Sequence, residues 1–192
     1  MNEEPVYFDN NKGQRLIGMR HVPKGRPPYP TVIIFHGLTG NKAEVHFKYT
    51  RLARLLCEHG FQVYRFDFRG HGDSWGNFSQ IIMDDLVKDT KDIFNFVRQQ
   101  KSTDRTRMGV VSLSLCPGLY IRLTSKDVKA MVLHSPAAYP KTTVERGWGI
   151  GVRYGRSGPS SLVYNPNFWK SLDKYNAFTS ITYADMPIIL IC

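Results

Sequence analysis

The chain has 192 residues, 42% of them apolar and 22% charged. That is the balance of a soluble globular protein, and it excludes collagen-like, disordered and small disulfide-scaffold classes. One domain of this length buries roughly 70% of the surface that its unfolded chain exposes. No apolar run approaches the roughly 18 residues of a membrane span, and residues 1–10 are acidic without the apolar stretch of a signal peptide. The net charge is +10, with Lys and Arg spread along the chain and most one-sided at 141–156. Without zinc-finger spacing or an RNP signature, a solvated basic surface is the better reading than a nucleic-acid site. Cys57, Cys116 and Cys192 are widely spaced and odd in number. They read as the reduced thiols of a cytoplasmic protein rather than a bridge framework or metal site.

The predicted elements alternate along the chain. Residues 6–8 and 15–21 read as two short strands with a turn at 10–13, and 23–30, with four prolines, as a stiff surface connection. TVIIF at 31–35 is a continuous apolar run rich in β-branched residues, which suits a strand covered on both faces. Residues 42–59 fit a helix with Phe47, Leu52, Leu55 and Leu56 near helical spacing and Gly60 as its stop. FQVYRFDF at 61–68 is the next strand, followed by a turn rich in Gly and Asp at 69–76. A second helix covers 84–100, with Leu86, Ile93, Phe96 and Val97 in its apolar stripe. MGVVSL at 108–113 is a strand, 117–124 a helix with proline in its first turn, and 130–134 another strand. Past Pro136 the rhythm breaks, and 141–183 is either a cap over the sheet or an irregular surface segment. PIILIC at 187–192 reads as one more buried strand. The expected fold is a single α/β domain over 1–192, with a largely parallel sheet flanked by helices.

In an open parallel sheet, ligands bind beyond the carboxyl ends of the strands. Three such ends carry unusual residues: HGLTG at 36–40, DFRGHGDS at 67–74 and SLSLC at 112–116. SLSLC occupies a strand-to-helix turn. A serine there is pushed out of the sheet on a strained backbone, which is the nucleophile elbow usually written G-x-S-x-G. Ser114 is the central serine, and the flanking glycine positions hold Ser112 and Cys116, both small. Acyl transfer builds negative charge on a carbonyl oxygen, and two preorganised N–H donors stabilise it. The backbone N–H groups of Leu38, after the HG turn, and of Leu115, after the serine, are the candidates. The His36 side chain reads as structural rather than as a base, and His46, His59 and His71 read as helix or turn surface positions.

HGLTGNKAE (36–44), RFDFRGHGDSWGNFS (65–79) and the elbow around Ser114 stand in an order and spacing that resemble the α/β-hydrolase superfamily. The similarity is to its small serine esterases of the cinnamoyl/feruloyl esterase and serine-aminopeptidase-like type, and it spans nearly the whole chain. The resemblance implies Ser114 as the nucleophile and the N–H groups of Leu38 and Leu115 as the oxyanion hole. It implies a structural turn shaped by Gly70, Gly72 and Ser74, and no metal or organic cofactor. An elbow of the S-L-S kind is also similar to acyl-transferases and thioesterases of this fold, which would change the substrate to an acyl thioester and leave the chemistry at Ser114 as it is.

The superfamily triad runs Ser, then Asp or Glu, then His. The acid follows the strand corresponding to PIILIC and the histidine comes one strand later, so the chain reads as the N-terminal portion of a hydrolase. His134 reads as a strand-end histidine bonded to nearby backbone, and nothing fixes Asp173 or Asp185 near Ser114. The leading function is a serine hydrolase cleaving small-molecule carboxylic esters through an acyl-enzyme on Ser114. The alternatives are an acyl-thioesterase or acyl-transferase and, in another class, a catalytically silent hydrolase-like binding protein. Trp148, Tyr154, Tyr164, Phe168 and Trp169 could roof an apolar pocket, and ordinary packing of a cap onto the sheet is the slightly better reading. The expected partner is the substrate, with no nucleic acid and no membrane. Homo-oligomerisation or strand exchange is expected through the terminal strand, whose outer edge lacks a neighbour.

Overall fold

Asn2–Asp9 (β1) and Arg15–Val22 (β2) pair antiparallel, with Asn2 opposite Val22 and Asp9 opposite Arg15. The computed structural model that shows this describes residues 1–114, 126–137, 139, 165–176 and 185–191. The hairpin turn is built by Asn10, whose Oδ1 accepts from the backbone N–H groups of Lys12 and Gln14, both at 3.0 Å. Such a side-chain bond two residues ahead is the device by which asparagine closes a turn.

Tyr29–Phe35 (β3), Gln62–Phe66 (β4), Thr103–Leu113 (β5), Val128–His134 (β6) and Ile188–Ile191 (β7) complete a seven-stranded sheet of order β1-β2-β4-β3-β5-β6-β7. From β4 to β7 every pairing is parallel, and β2 joins β4 antiparallel. β3 lies between β4 and β5, and its side chains pack into core on both faces of the sheet, Ile33 and Phe35 on one and Ile34 on the other, as its unbroken apolar run requires.

The alternation along each strand divides the core in two. Ile33, Phe35, Tyr64, Phe66 and Val110 face Met83–Gln99 (α2) and Pro166–Leu172 (α3), while Ile34, Val63 and Val111 face Lys48–Glu58 (α1). Leu86, Ile93, Phe94 and Val97 of α2 are all at most 1% exposed. At about 1.5–3 kcal/mol for each fully buried side chain, this seam fixes a helix that would be marginal alone.

A buried ion pair ties the hairpin turn to α2 and to the turn after β4. Asp89 accepts from Arg69 Nε at 2.8 Å, Arg69 Nη2 at 2.6 Å and Arg69 N at 3.2 Å, and from Asn10 Nδ2 at 3.0 Å. Its carboxylate is thus surrounded by donors, as a buried charge requires.

Two expectations are corrected. The first helix starts at Lys48 and not at 42, because Glu44, His46 and Phe47 take left-handed backbone angles (φ 59°, 54° and 56°) that no α-helix accommodates. Its buried stripe is therefore Tyr49, Thr50, Ala53 and Cys57, and Phe47 and Leu55 are exposed. The last strand forms as expected, but Ile189, Leu190 and Ile191 are 47–59% exposed at the sheet edge rather than buried. Phe168 is 0% exposed and packs with Leu172 into the α2-side core, in line with the packing reading rather than a pocket roof. The expected helix at 117–124 lies outside the described residues, as do Trp148, Tyr154, Tyr164 and most of the proposed cap.

Candidate active site

The carboxyl ends of β4, β3 and β5 are adjacent, because these strands are neighbours and run in the same direction. That topology brings the three unusual segments to one edge of the sheet. Ser112 is buried and pairs with Phe35 on one side and Leu133 on the other. Two residues on, Ser114 leaves the strand in the left-handed region, with φ 54°. An L-residue held there costs roughly 1–2 kcal/mol, and the surrounding bonds hold it. The Ser114 N–H donates to the His134 carbonyl at 2.9 Å, and the Ser114 carbonyl accepts from the Ala137 N–H at 3.2 Å. Ser114 is half-buried, and its Oγ has no hydrogen-bond partner among the described residues.

The turn after β3 lies against this serine. A Cβ placed on Gly37 would stand 3.5 Å from Ser114 Cβ. The turn is fixed at nearly every polar group. The Gly37 carbonyl accepts from Gly40 N at 3.0 Å and lies 2.7 Å from His36 Nδ1, while Gly37 N donates to Glu44 Oε1 at 3.3 Å. Gly40 is bare for that purpose, since a Cβ there would lie 1.9 Å from the Glu44 carboxylate. The Leu38 carbonyl faces His71 Nε2. The Leu38 N–H has no partner among the described residues, which leaves it available to a ligand oxygen.

His36 is structural in geometry. Its Nε2 accepts from Phe68 N at 3.1 Å, which leaves Nδ1 to donate to Gly37, and burial pushes its pKa well below the ordinary value. The neutral ring ties the β3 and β4 ends together. His71 departs from its expected surface position: it is 6% exposed, with Nδ1 facing the Arg69 carbonyl at 2.9 Å and Nε2 facing Leu38. Its ring is turned inward by the RGHGDS turn, where Gly70 and Gly72 have φ 70° and 49°. Asp67 anchors the same turn to the segment after HGLTG. It accepts from Lys42 N and Lys42 Nζ, both at 2.6 Å, and from Asp73 N at 3.0 Å.

Sequence reasoning missed Glu44 and His71. The bare glycines at 40 and 72 were the available signal for close approach, because a Cβ at either would strike a carboxylate. Leu115 and Cys116 lie outside the described residues. His134 contributes its backbone carbonyl to Ser114, as a strand-end residue, and Asp173 and Asp185 are exposed.

A largely parallel sheet with helices on both faces, carrying a left-handed serine beside a glycine turn at its carboxyl edge, defines an α/β-hydrolase fold. The family model for Serine aminopeptidase, S33 matches residues 26–177, and the chain belongs to that family. Est1E from Butyrivibrio proteoclasticus with ferulic acid bound superposes at a TM-score of 0.78 and 18% identity, over 96% of this chain and 77% of that one. The Pyrococcus furiosus esterase Pf2001 gives 0.77 and 22% identity, over 98% of this chain and 69% of that one. Lysophosphatidylserine lipase ABHD12 of Xenopus tropicalis is 23% identical over 177 residues, covering 85% of this chain and 42% of that protein. The chain spans about 40% of the length of the first curated relatives it matches. Among the described residues no helix is long and apolar enough to cross a membrane.

Proposed function

We propose that the protein is a serine hydrolase that cleaves carboxylic esters through an acyl-enzyme on Ser114. The observation that carries this reading is the left-handed Ser114 (φ 54°) at the end of β5, packed against the Gly37 turn. In this mechanism Ser114 Oγ attacks the ester carbonyl carbon and its proton passes to the histidine base. In this fold the triad acid and histidine follow the nucleophile in chain order. The tetrahedral oxyanion accepts from the N–H groups of Leu38 and Leu115, the alcohol departs, and water then releases the acid. The names of the similar proteins, an esterase, a lipase and a protein with ferulic acid bound, support an ester as the substrate class.

The test is labelling of the purified protein with a fluorophosphonate, beside Ser114→Ala, followed by peptide mapping. The expected result is a single adduct on Ser114 that is absent from the variant. Equal labelling of both proteins, or of neither, would overturn the assignment. Parallel turnover of a p-nitrophenyl ester and the matching thioester assigns the leaving group.

A further inference from the structure

Arg65 lies on β4 with 5% of its surface exposed. A guanidinium keeps its charge at any ordinary pH, and a buried charge needs a counter-charge. The bonds of Arg65 go to neutral groups instead: Nε donates to His21 Nε2 at 2.9 Å and Nη1 to the Lys42 carbonyl at 3.0 Å. The acids whose fields reach it, Glu3 and Asp67, are already engaged. Glu3 accepts from Arg54 Nε at 2.6 Å, and Asp67 from Lys42 Nζ at 2.6 Å. Among the described residues Arg65 forms no ion pair.

The same guanidinium lines a cleft of about 890 Å³ bounded by β2, β4, α1 and the turns after β3 and β4. Arg51, exposed on α1, stands on another wall, and it too forms no ion pair among the described residues. Lys42 on the wall bonds both Asp73, at 2.5 Å, and Asp67, at 2.6 Å, so these three groups together carry one negative charge. Arg65 and Arg51 are then two wall cations without a direct ion pair among the described residues, one of them buried, and the balance with that carboxylate is one positive charge. Among the described residues the lining includes neither Leu38 nor Ser114.

We propose that this cleft is an anion site that takes a phosphate group between Arg65 and Arg51. A phosphate group presents oxygens to both arginines at once, and arginine forks suit those oxygens. The cleft is much larger than the free ion, so the phosphate belongs to a larger molecule, either a soluble phosphomonoester or a lipid headgroup. Phe47, 68% exposed, is on the cleft wall and offers an apolar contact to either. The assignment stands independently of the hydrolase reading.

The test is calorimetric titration of the purified chain with inorganic phosphate at constant ionic strength, beside Arg51→Glu and the exposed control Arg105→Glu. The expected result is saturable binding by the wild type and by Arg105→Glu, weakened at least about tenfold in Arg51→Glu. Arg65→Gln should behave in the same way, and if it does not fold the Arg51 variant decides. Absence of phosphate binding by the wild type, or equal binding by the Arg51 and Arg105 variants, would overturn the site. A second arm uses vesicles of phosphatidylcholine with and without phosphatidic acid. Binding that needs phosphatidic acid and falls in Arg51→Glu assigns the phosphate to a lipid headgroup; phosphate binding without vesicle binding assigns it to a soluble phosphomonoester. Fluorophosphonate labelling of Ser114 in Arg51→Glu reports the hydrolase reading separately.

Discussion

The His71 imidazole and the Leu38 carbonyl meet across 33 residues of chain, each the fixed end of a different loop. In the proposed mechanism the Leu38 N–H binds the oxyanion; that N–H shares a peptide plane with the Gly37 carbonyl, and the contact to the Leu38 carbonyl restrains the next plane along the turn. His71 is a positioning residue in this reading. Both of its ring nitrogens face carbonyl oxygens, and the neutral ring favoured by burial donates to one of them at a time. His71→Phe keeps the ring packed against Phe68 and Phe78 and deletes the donor. A misplaced oxyanion donor costs on the order of 100-fold in rate. The expected outcome in ester hydrolysis is a fall of about that size in kcat with little change in KM, partly restored in His71→Gln.

The backbone of Ser114 carries a cost separate from its chemistry. Glycine adopts φ 54° without the Cβ penalty, whereas alanine does not. Ser114→Gly and Ser114→Ala should therefore both be inactive, with the glycine variant more stable by about 1 kcal/mol. For a domain of this size that is roughly 2–4 °C in Tm. Equal melting temperatures would show that the elbow is unstrained.

The Arg69–Asp89 pair, with Arg69 4% and Asp89 0% exposed, should respond asymmetrically to substitution. Removing one partner leaves a buried charge uncompensated and costs about 3–5 kcal/mol. Arg69→Met and Asp89→Leu singly should fall by that amount in urea unfolding, and the double variant should recover much of the loss. Additive losses would show that the two groups act through other neighbours.

His21 gives a pH dependence with a defined sign. Its ring is 0% exposed, its Nε2 accepts from Arg65, and burial lowers its pKa to about 4 from an ordinary 6.5. Between those values the unfolded chain binds a proton that the folded chain refuses. Stability is therefore complete above pH 6.5 and falls as the pH drops toward 4. At about 1.4 kcal/mol per pH unit, the loss is on the order of 3 kcal/mol. His36 and His71, also lowered, act in the same direction. Denaturant unfolding from pH 7 to 4 should be less steep in His21→Gln, where the amide oxygen still accepts from Arg65. An unchanged slope would remove His21 from the balance.

The strands, their parallel direction and the position of Ser114 were readable because each rests on a local pattern. TVIIF suits a doubly covered strand, and the place of Ser114 just after the third long strand pointed to a turn at a strand end. Phe47 misled because Leu55, eight residues on, shares its face at helical spacing, while the tie of Glu44 to Gly37 holds the preceding chain out of helical angles. His71 misled for a related reason. A histidine between two glycines looks exposed in one dimension, and its inward turn depends on the Leu38 carbonyl supplied by a distant loop. Arg65 likewise sits in a strand that reads as apolar, and its burial without a carboxylate is a property of the assembled sheet.

The junction at Asp89 also sets an order of events during synthesis. The hairpin turn at Asn10 is bonded to a carboxylate 79 residues further along the chain. At about 5–20 residues per second, a ribosome takes several seconds to make that stretch. For the part of that interval that follows synthesis of Val22, the first two strands exist without the group that locks their turn. A stall within α2 would prolong that exposure, so the rate of translation through this helix governs how long the N-terminal hairpin remains open to chaperones and to mispairing.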